Sequence, residues 1–200
     1  MTTLLFLGTI VTLLLLLVKL IIKLARGKNI ASSVKTIALI TLSYSLLWCL
    51  FYFIRTDKAV PLGTDICFDD WCVTITKIEK PATLGKDNEA LIPNGQFVVL
   101  HIKMSNHARG IAQKPSEPRV HIIDEKGNYW LPSDRGQHAL EKTVGQQIPI
   151  DQKLELHQSL ETQLVFEIPR NAKKPKVLIE EGPFITNFLF NEDRKVFLVE

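Results

Sequence analysis

Two uncharged apolar runs, Thr3–Val18 and Thr36–Ile54, fall within the first 54 residues of this 200-residue chain. A helix needs about 20 residues at 1.5 Å each to cross a bilayer's hydrocarbon. The second run reaches that length by itself. The first reaches it when carried to Leu24, with Lys19 and Lys23 snorkelling from the helix end; they lie four apart on one face, which Arg26 extends. The spacing predicts helices over 3–24 and 36–54, a transmembrane hairpin filling 1–55. Thr41, Ser43, Tyr44 and Ser45 can hydrogen-bond within their helix or across to a neighbour. Two readings compete: a cleaved signal peptide, and a pair of buried helices in a soluble protein. Against the first stand the missing positive n-region, the missing small-x-small cleavage site and the length of the run.

Charge divides the chain at the same place. Residues 1–58 hold seven Lys/Arg against one acid, Asp57, whereas residues 59–200 hold 17 Lys/Arg against 20 Asp/Glu. The overall charge of +3 therefore comes from the first quarter. The remainder is mildly acidic and would be repelled by phosphates, which argues against nucleic acid as a partner. The connector 25–35 carries Arg26, Lys28 and Lys35 with no acid, and the N-terminal flank has no charged side chain. Positive charge stays on the cytoplasmic side. The connector is thus expected inside, and the N-terminus and the large C-terminal part outside; Arg55 and Lys58 weigh the other way.

Small residues offer a packing face for the hairpin. Gly8 and Thr12 are four apart on the first helix, as are Ser45 and Cys49 on the second. In an antiparallel pair Gly8 lies level with about Cys49, and Thr12 with about Ser45. Facing small residues let helix backbones approach closely; the alternative is that such residues are simply common in membrane helices.

After a linker over 56–64 containing Pro61 and Gly63, the pattern changes to strands and turns. Val73–Ile78 alternates, Phe97–Met104 is a long apolar run, and Arg119–Asp124 leads through Gly127 into Tyr129–Leu131 as a hairpin. Leu160–Ile168, Lys176–Glu180 and Lys195–Val199 follow, whereas Ser133–Ile150 is polar and reads as a long loop or irregular strand. Seven or eight strands without a convincing amphipathic helix predict a β-sandwich over 65–200.

The run Gly95-Gln96-Phe97-Val98-Val99-Leu100-His101-Ile102-Lys103-Met104-Ser105-Asn106 resembles the first long strand of a bacterial Ig-like family of unknown function. Asp124-Glu125-Lys126-Gly127-Asn128-Tyr129 is similar to that family's D-x-x-G-x-Y turn, and Leu164-Val165-Phe166-Glu167-Ile168-Pro169 to its late strand. Its usual Pro-Gly before that strand is replaced by His157-Gln158-Ser159. The resemblance covers roughly 61–200. It implies an immunoglobulin-like sandwich outside the cytoplasm, in a lipoprotein, secreted or membrane-anchored setting, with no catalytic residues.

Cys67 and Cys72 flank Phe68-Asp69-Asp70-Trp71. As arms of a hairpin they would face each other across a four-residue loop, close enough to bridge, and outside the cytoplasm they would be oxidised. Two free thiols, or half of a metal site, are the alternatives; a C-x4-C pair without a nearby His pair is poor zinc spacing. The bridge would hold Trp71, Asp69 and Asp70 in one geometry as a candidate partner contact, unless Trp71 packs under the sandwich edge. His101, His107, His121, His138 and His157 form no metal or catalytic motif, and alternation places His101 and His121 on outer faces. The acidic pairs, Glu192-Asp193 among them, read as solvated turns. No Walker, G-x-S-x-G, S-x-x-K or G-x-G-x-x-G pattern occurs.

These readings combine into a membrane-anchored, all-β protein of the bacterial inner membrane. It is expected to be a non-catalytic interaction module without a cofactor, contacting membrane lipid and another membrane or envelope protein as an accessory subunit. A small-ligand or metal sensing module is the alternative.

Overall fold

The computed structural model describes residues 2–54, 57–86, 90–182 and 194–199. Arg55 and the Glu192-Asp193 pair, both used above, lie outside the described residues. The chain divides into a helical unit within the first 56 residues and a β unit beginning at Asp57.

The helical unit contains α1 (Thr2–Ala25) and α2 (Ala31–Ile54), each of 24 residues. Both are long and apolar enough to cross a membrane. Their apolar side chains are largely uncovered: Leu15, Leu39 and Leu46 are each more than 60% exposed. One stripe on each helix is shielded. In α1 it runs Thr9, Leu13, Leu16, Leu20, Lys23, and in α2 Ser33, Ile37, Ile40, Tyr44, Trp48. Steps of three and four keep each stripe on a single face. Near the connector Lys23 Nζ donates to Ser33 Oγ at 2.8 Å, and further along α2 the rings of Tyr44 and Trp48 stack at 5.9 Å.

The small-residue packing face needs correction. Gly8, Thr12, Ser45 and Cys49 lie outside these stripes, and a Cβ added at Gly8 would meet no described atom within 4 Å. Gly8 and Thr12 each precede a stripe residue by one position, and Ser45 and Cys49 each follow one; a one-residue step turns the side chain by about 100°. The Thr12 hydroxyl bonds the Gly8 carbonyl of its own helix at 2.8 Å.

The β unit is a sandwich. Its strands are β1 (Asp57–Val60), β2 (Ile66–Phe68), β3 (Trp71–Glu79), β4 (Gln96–Asn106), β5 (Arg119–Ile123), β6 (Tyr129–Trp130), β7 (Ser159–Ile168), β8 (Lys176–Glu180) and β9 (Arg194–Leu198). One sheet has the order β1-β9-β8-β5-β6 and the other β2-β3-β4-β7. All pairs are antiparallel except β1–β9, which is parallel with Asp57 level with Arg194. The expected linker 56–64 thus contributes an edge strand. Asp57 is held there by Arg194, whose Nε and Nη2 donate to Oδ1 at 2.8 and 2.6 Å.

Alternation along β4 sends Val98, Leu100, Ile102 and Met104 into the core between the sheets. There they meet Val73 and Ile75 of β3, Phe166 and Ile168 of β7, Val120 and Ile122 of β5, and Val177, Ile179 and Phe197 of β8 and β9. Each of these side chains contributes on the order of 1.5–3 kcal/mol when buried.

The segment expected to be a long loop contains a helix, α3 (Asp134–Val144). Ser133 caps it, accepting from Gly136 N at 3.2 Å, and Gly145 ends it at a left-handed φ of 95°. Only Gly136 and Leu140 of this polar helix are buried. That is enough to cover the outer face of the second sheet at one end. Leu140 joins Phe97, Val99, Val165 and Leu84 in a second core. The helix also closes the free edge of β7. Gln137 Nε2 donates to Gln163 O and its Oε1 accepts from Val165 N, both at 3.0 Å, while Ser133 N donates to Val165 O at 2.7 Å. Arg135 grips Glu167 with two bonds of 2.8 and 2.9 Å, which holds that carboxyl below its ordinary range. An edge strand covered in this way cannot template pairing with another chain.

Candidate functional site

One end of the sandwich gathers the sequence's candidate residues. Strands β2 and β3 pair as far as Phe68 opposite Trp71, so the connecting turn is only Asp69-Asp70, two residues rather than four. Asp69 adopts a left-handed φ of 56°, a conformation Asp tolerates better than most side chains. Cys67 and Cys72 are cross-strand partners joined by a disulfide, with Cα atoms 3.9 Å apart. Cys67 is exposed and Cys72 buried.

The three residues of the expected contact separate by depth. Asp69 is exposed and Asp70 half-buried, but Trp71 retains only 2% of its surface and belongs to the core. Trp71 is therefore corrected from contact to packing residue. It stands at an inward position of β3, in step with Val73 and Ile75, and its ring lies 5.9 Å from that of Phe68.

Asn106 organises this end, a role for which its sequence context gave only the signal of an Asn at a strand terminus. It is buried and opposite Trp71. Its Nδ2 donates to the carbonyls of Ile111, Leu154 and Glu155 at 3.0–3.2 Å, and its Oδ1 accepts from Ala108 N at 2.8 Å. A bridge between Gln113 and Leu154 fastens the same two loops. His107 N donates to Asp70 O at 2.8 Å, tying the acidic turn to the cluster. Two apolar side chains stand exposed on these loops, Ile111 at 63% and Leu156 at 43%.

Acids dominate the rim. Glu181 accepts from Ser116 N at 2.7 Å; burial pushes its carboxyl up, and the nearby charge of Asp69 adds to the rise. Lys114 pairs with Asp151 and Lys153 with Glu155, so these bases are locally balanced. Arg109 is exposed.

The histidines are dispersed. His121 Nε2 lies 3.1 Å from Glu180, which His121 foremost holds below its ordinary range. His101 Nε2 lies 3.3 Å from Glu79. His107 Nε2 contacts Ser105 Oγ at 3.0 Å, a nucleophile–base spacing, but no carboxylate among the described residues bonds the other ring nitrogen, as a triad requires. Among the described residues no three His, Cys, Asp or Glu side chains converge to hold a metal. Concavities among the described residues include two of different character. One, of about 100 Å³, is polar and includes Thr76, His101, Gln147, Glu161 and Gln163; the other, of about 360 Å³, is an open apolar groove along Val60, Pro61, Leu62, Ile78 and Leu198.

No family model matches the chain, and no curated protein matches it. Among solved structures it is similar to a conserved hypothetical protein from Bacillus anthracis, at 17% identity and a TM-score of 0.48, over 68% of this chain and 93% of that one. It is similar to an uncharacterized beta-sandwich protein from Clostridium difficile at 15% identity and a TM-score of 0.47, over 73% and 96%. It is also similar to a secreted protein from Mycobacterium tuberculosis at 9% identity and a TM-score of 0.45, over 72% and 98%.

Proposed function

We propose that this protein is a non-catalytic, immunoglobulin-like interaction module anchored in the bacterial inner membrane by its two helices. The sandwich faces the extracytoplasmic side and acts as an accessory subunit of a membrane or envelope complex. The observation that carries the anchoring is the uncovered apolar surface of α1 and α2, which water does not tolerate over such lengths. The basic connector, with Arg26, Lys28 and Lys35, supports its placement on the cytoplasmic side. The disulfide supports an oxidising location for the sandwich. Binding is supported by a surface held rigid yet displaying apolar side chains, since little order remains to be lost on association.

Alkaline carbonate should leave the protein in the membrane fraction, and protease added to intact spheroplasts should digest residues 57–200. Release by carbonate rejects the anchor; protection until lysis rejects the orientation. The polar concavity around His101 favours a second reading, binding of a small polar ligand, which ligand-induced melting shifts of the full chain would reveal.

A further inference from the structure

The geometry points to the disulfide-bearing end of the sandwich as a docking surface for a basic, apolar segment of a partner protein, with Ile111 and Leu156 as anchors and Asp69 and Asp70 pairing its Lys or Arg side chains. This rests on the reading of the sandwich as an interaction module and names the surface and the partner chemistry.

Three observations carry it. First, Ile111 and Leu156 are exposed although their loops are fixed: one buried amide, Asn106, bonds the Ile111, Leu154 and Glu155 carbonyls. Apolar side chains held outward by a rigid base do not collapse onto the protein, and they lose little freedom on binding. Second, the disulfide staples the two arms of the acidic turn to each other, and His107 N bonding Asp70 O ties that turn to the same base. The charges and the anchors therefore keep a constant spacing. Third, the charge is predominantly acidic, although Arg109 stands exposed on the loop that carries Ile111. Neither Asp69 nor Asp70 has an ion-pair partner among the described residues, while the nearby lysines 114 and 153 are matched by Asp151 and Glu155. Glu181 adds a third acid close to Asp69. Complementarity then selects a cationic partner, steers its approach and weakens with salt. An anionic lipid surface would be repelled.

The test uses the full chain in nanodiscs of neutral lipid. The probes are a capped peptide of alternating lysine and leucine and its glutamate-for-lysine counterpart. In parallel, the same variants are purified mildly from native membranes, with a photo-crosslinker at position 111. The lysine peptide should bind and the glutamate peptide should not. Ile111→Ser with Leu156→Ser should weaken binding about tenfold. Asp69→Lys with Asp70→Lys should exchange the preference between the two peptides, an effect that loss of fold would not produce. Both double variants should also lose the copurifying protein, whose crosslinked peptide should carry Lys or Arg. Unchanged affinity in the variants, equal binding of the two peptides, or crosslinks joining position 111 to a second copy of this chain would overturn the proposal. If the variants retain the copurifying protein, the surface is wrong and the module reading survives. If neither a protein nor a peptide is held by the unaltered chain, the module reading fails and the surface with it.

Discussion

The side-chain amide of Asn106 donates to the carbonyl of Leu154 at 3.2 Å across 48 positions of sequence, in a bond buried from solvent. The same nitrogen serves Ile111 and Glu155, and its Oδ1 accepts from the buried Ala108 N–H, so truncation would take the side-chain partner from the Ile111 carbonyl and from that N–H together. Asn106→Ala should lower stability by about 2–4 kcal/mol, because buried polar groups left unpaired cost more than the bonds themselves contribute. Thermal denaturation of the variant checks this. A loss below about 0.5 kcal/mol would remove Asn106 from its organising role.

Two glycines give opposite expectations. A Cβ at Gly95 would meet the backbone oxygen of Ile168 at 2.1 Å and the Pro169 Cα at 3.0 Å, and backbone cannot step aside as a side-chain tip can. At Gly110 it would meet nothing within 4 Å. Gly95→Ala should destabilise by at least about 2 kcal/mol, whereas Gly110→Ala should be near neutral or slightly stabilising. Urea melts of the pair decide it.

Leu140 is the principal apolar side chain that α3 places on the outer face of the second sheet, where it covers Phe97, Val99 and Val165. Leu140→Ala should cost about 2–4 kcal/mol. It should also accelerate amide exchange at Val165, whose N–H bonds Gln137 of α3, and at Gln163, whose N–H bonds Gln147 just beyond the helix. Slow, unaltered exchange at these positions would show that the helix holds without its anchor.

The disulfide closes a short loop, with a sequence separation of 5. Loop-closure entropy then predicts a stabilisation of about 2 kcal/mol, lost in Cys67→Ser with Cys72→Ser. Alkylation before reduction, followed by mass measurement of the peptide spanning both, should find neither cysteine labelled in the protein from native membranes.

Glu180 sets a pH dependence. The hydrogen bond from His121, aided by the charges of His121, Arg119 and Arg194, lowers its carboxyl below the ordinary value. A depressed carboxylate contributes stability that is present above its unfolded pKa and lost as pH falls through the folded one. Glu180→Gln should therefore lose on the order of 1 kcal/mol at neutral pH, with the gap to the unaltered protein closing in acid. A pH-independent gap would mean that packing, not charge, is at stake.

What the sequence by itself determined was everything that depends on local period and composition. Continuous uncharged, mostly apolar runs predicted two long helices over Thr3–Val18 and Thr36–Ile54, because their backbone groups can be satisfied within each helix. Alternation in Phe97–Met104 and Leu160–Ile168 required strands, and it assigned Val98, Leu100 and Ile102 to one face without reference to any neighbour. The cysteine pairing was equally local, since a hairpin brings its own arms together. Tertiary structure decided what each face meets. Alternation placed Phe97 and Val99 on an outer face, yet they are core, because α3 folds back over them. That helix escaped detection because only Gly136 and Leu140 turn inward, too few for a periodic signal, although Ser133 and Gly145 marked its ends. The helix stripes were set in the same way: composition favoured Gly8 and Cys49, but the faces that are shielded turn on which residues point inward, one position away. Trp71 could have packed or projected, and its depth followed from β3 pairing in full to the turn. Asp69, Asp70, Ile111 and Leu156 come to one end of the sandwich because the Asn106 amide, the Gln113–Leu154 bridge and the His107–Asp70 bond join loops far apart in sequence, long-range bonds that no local pattern encodes.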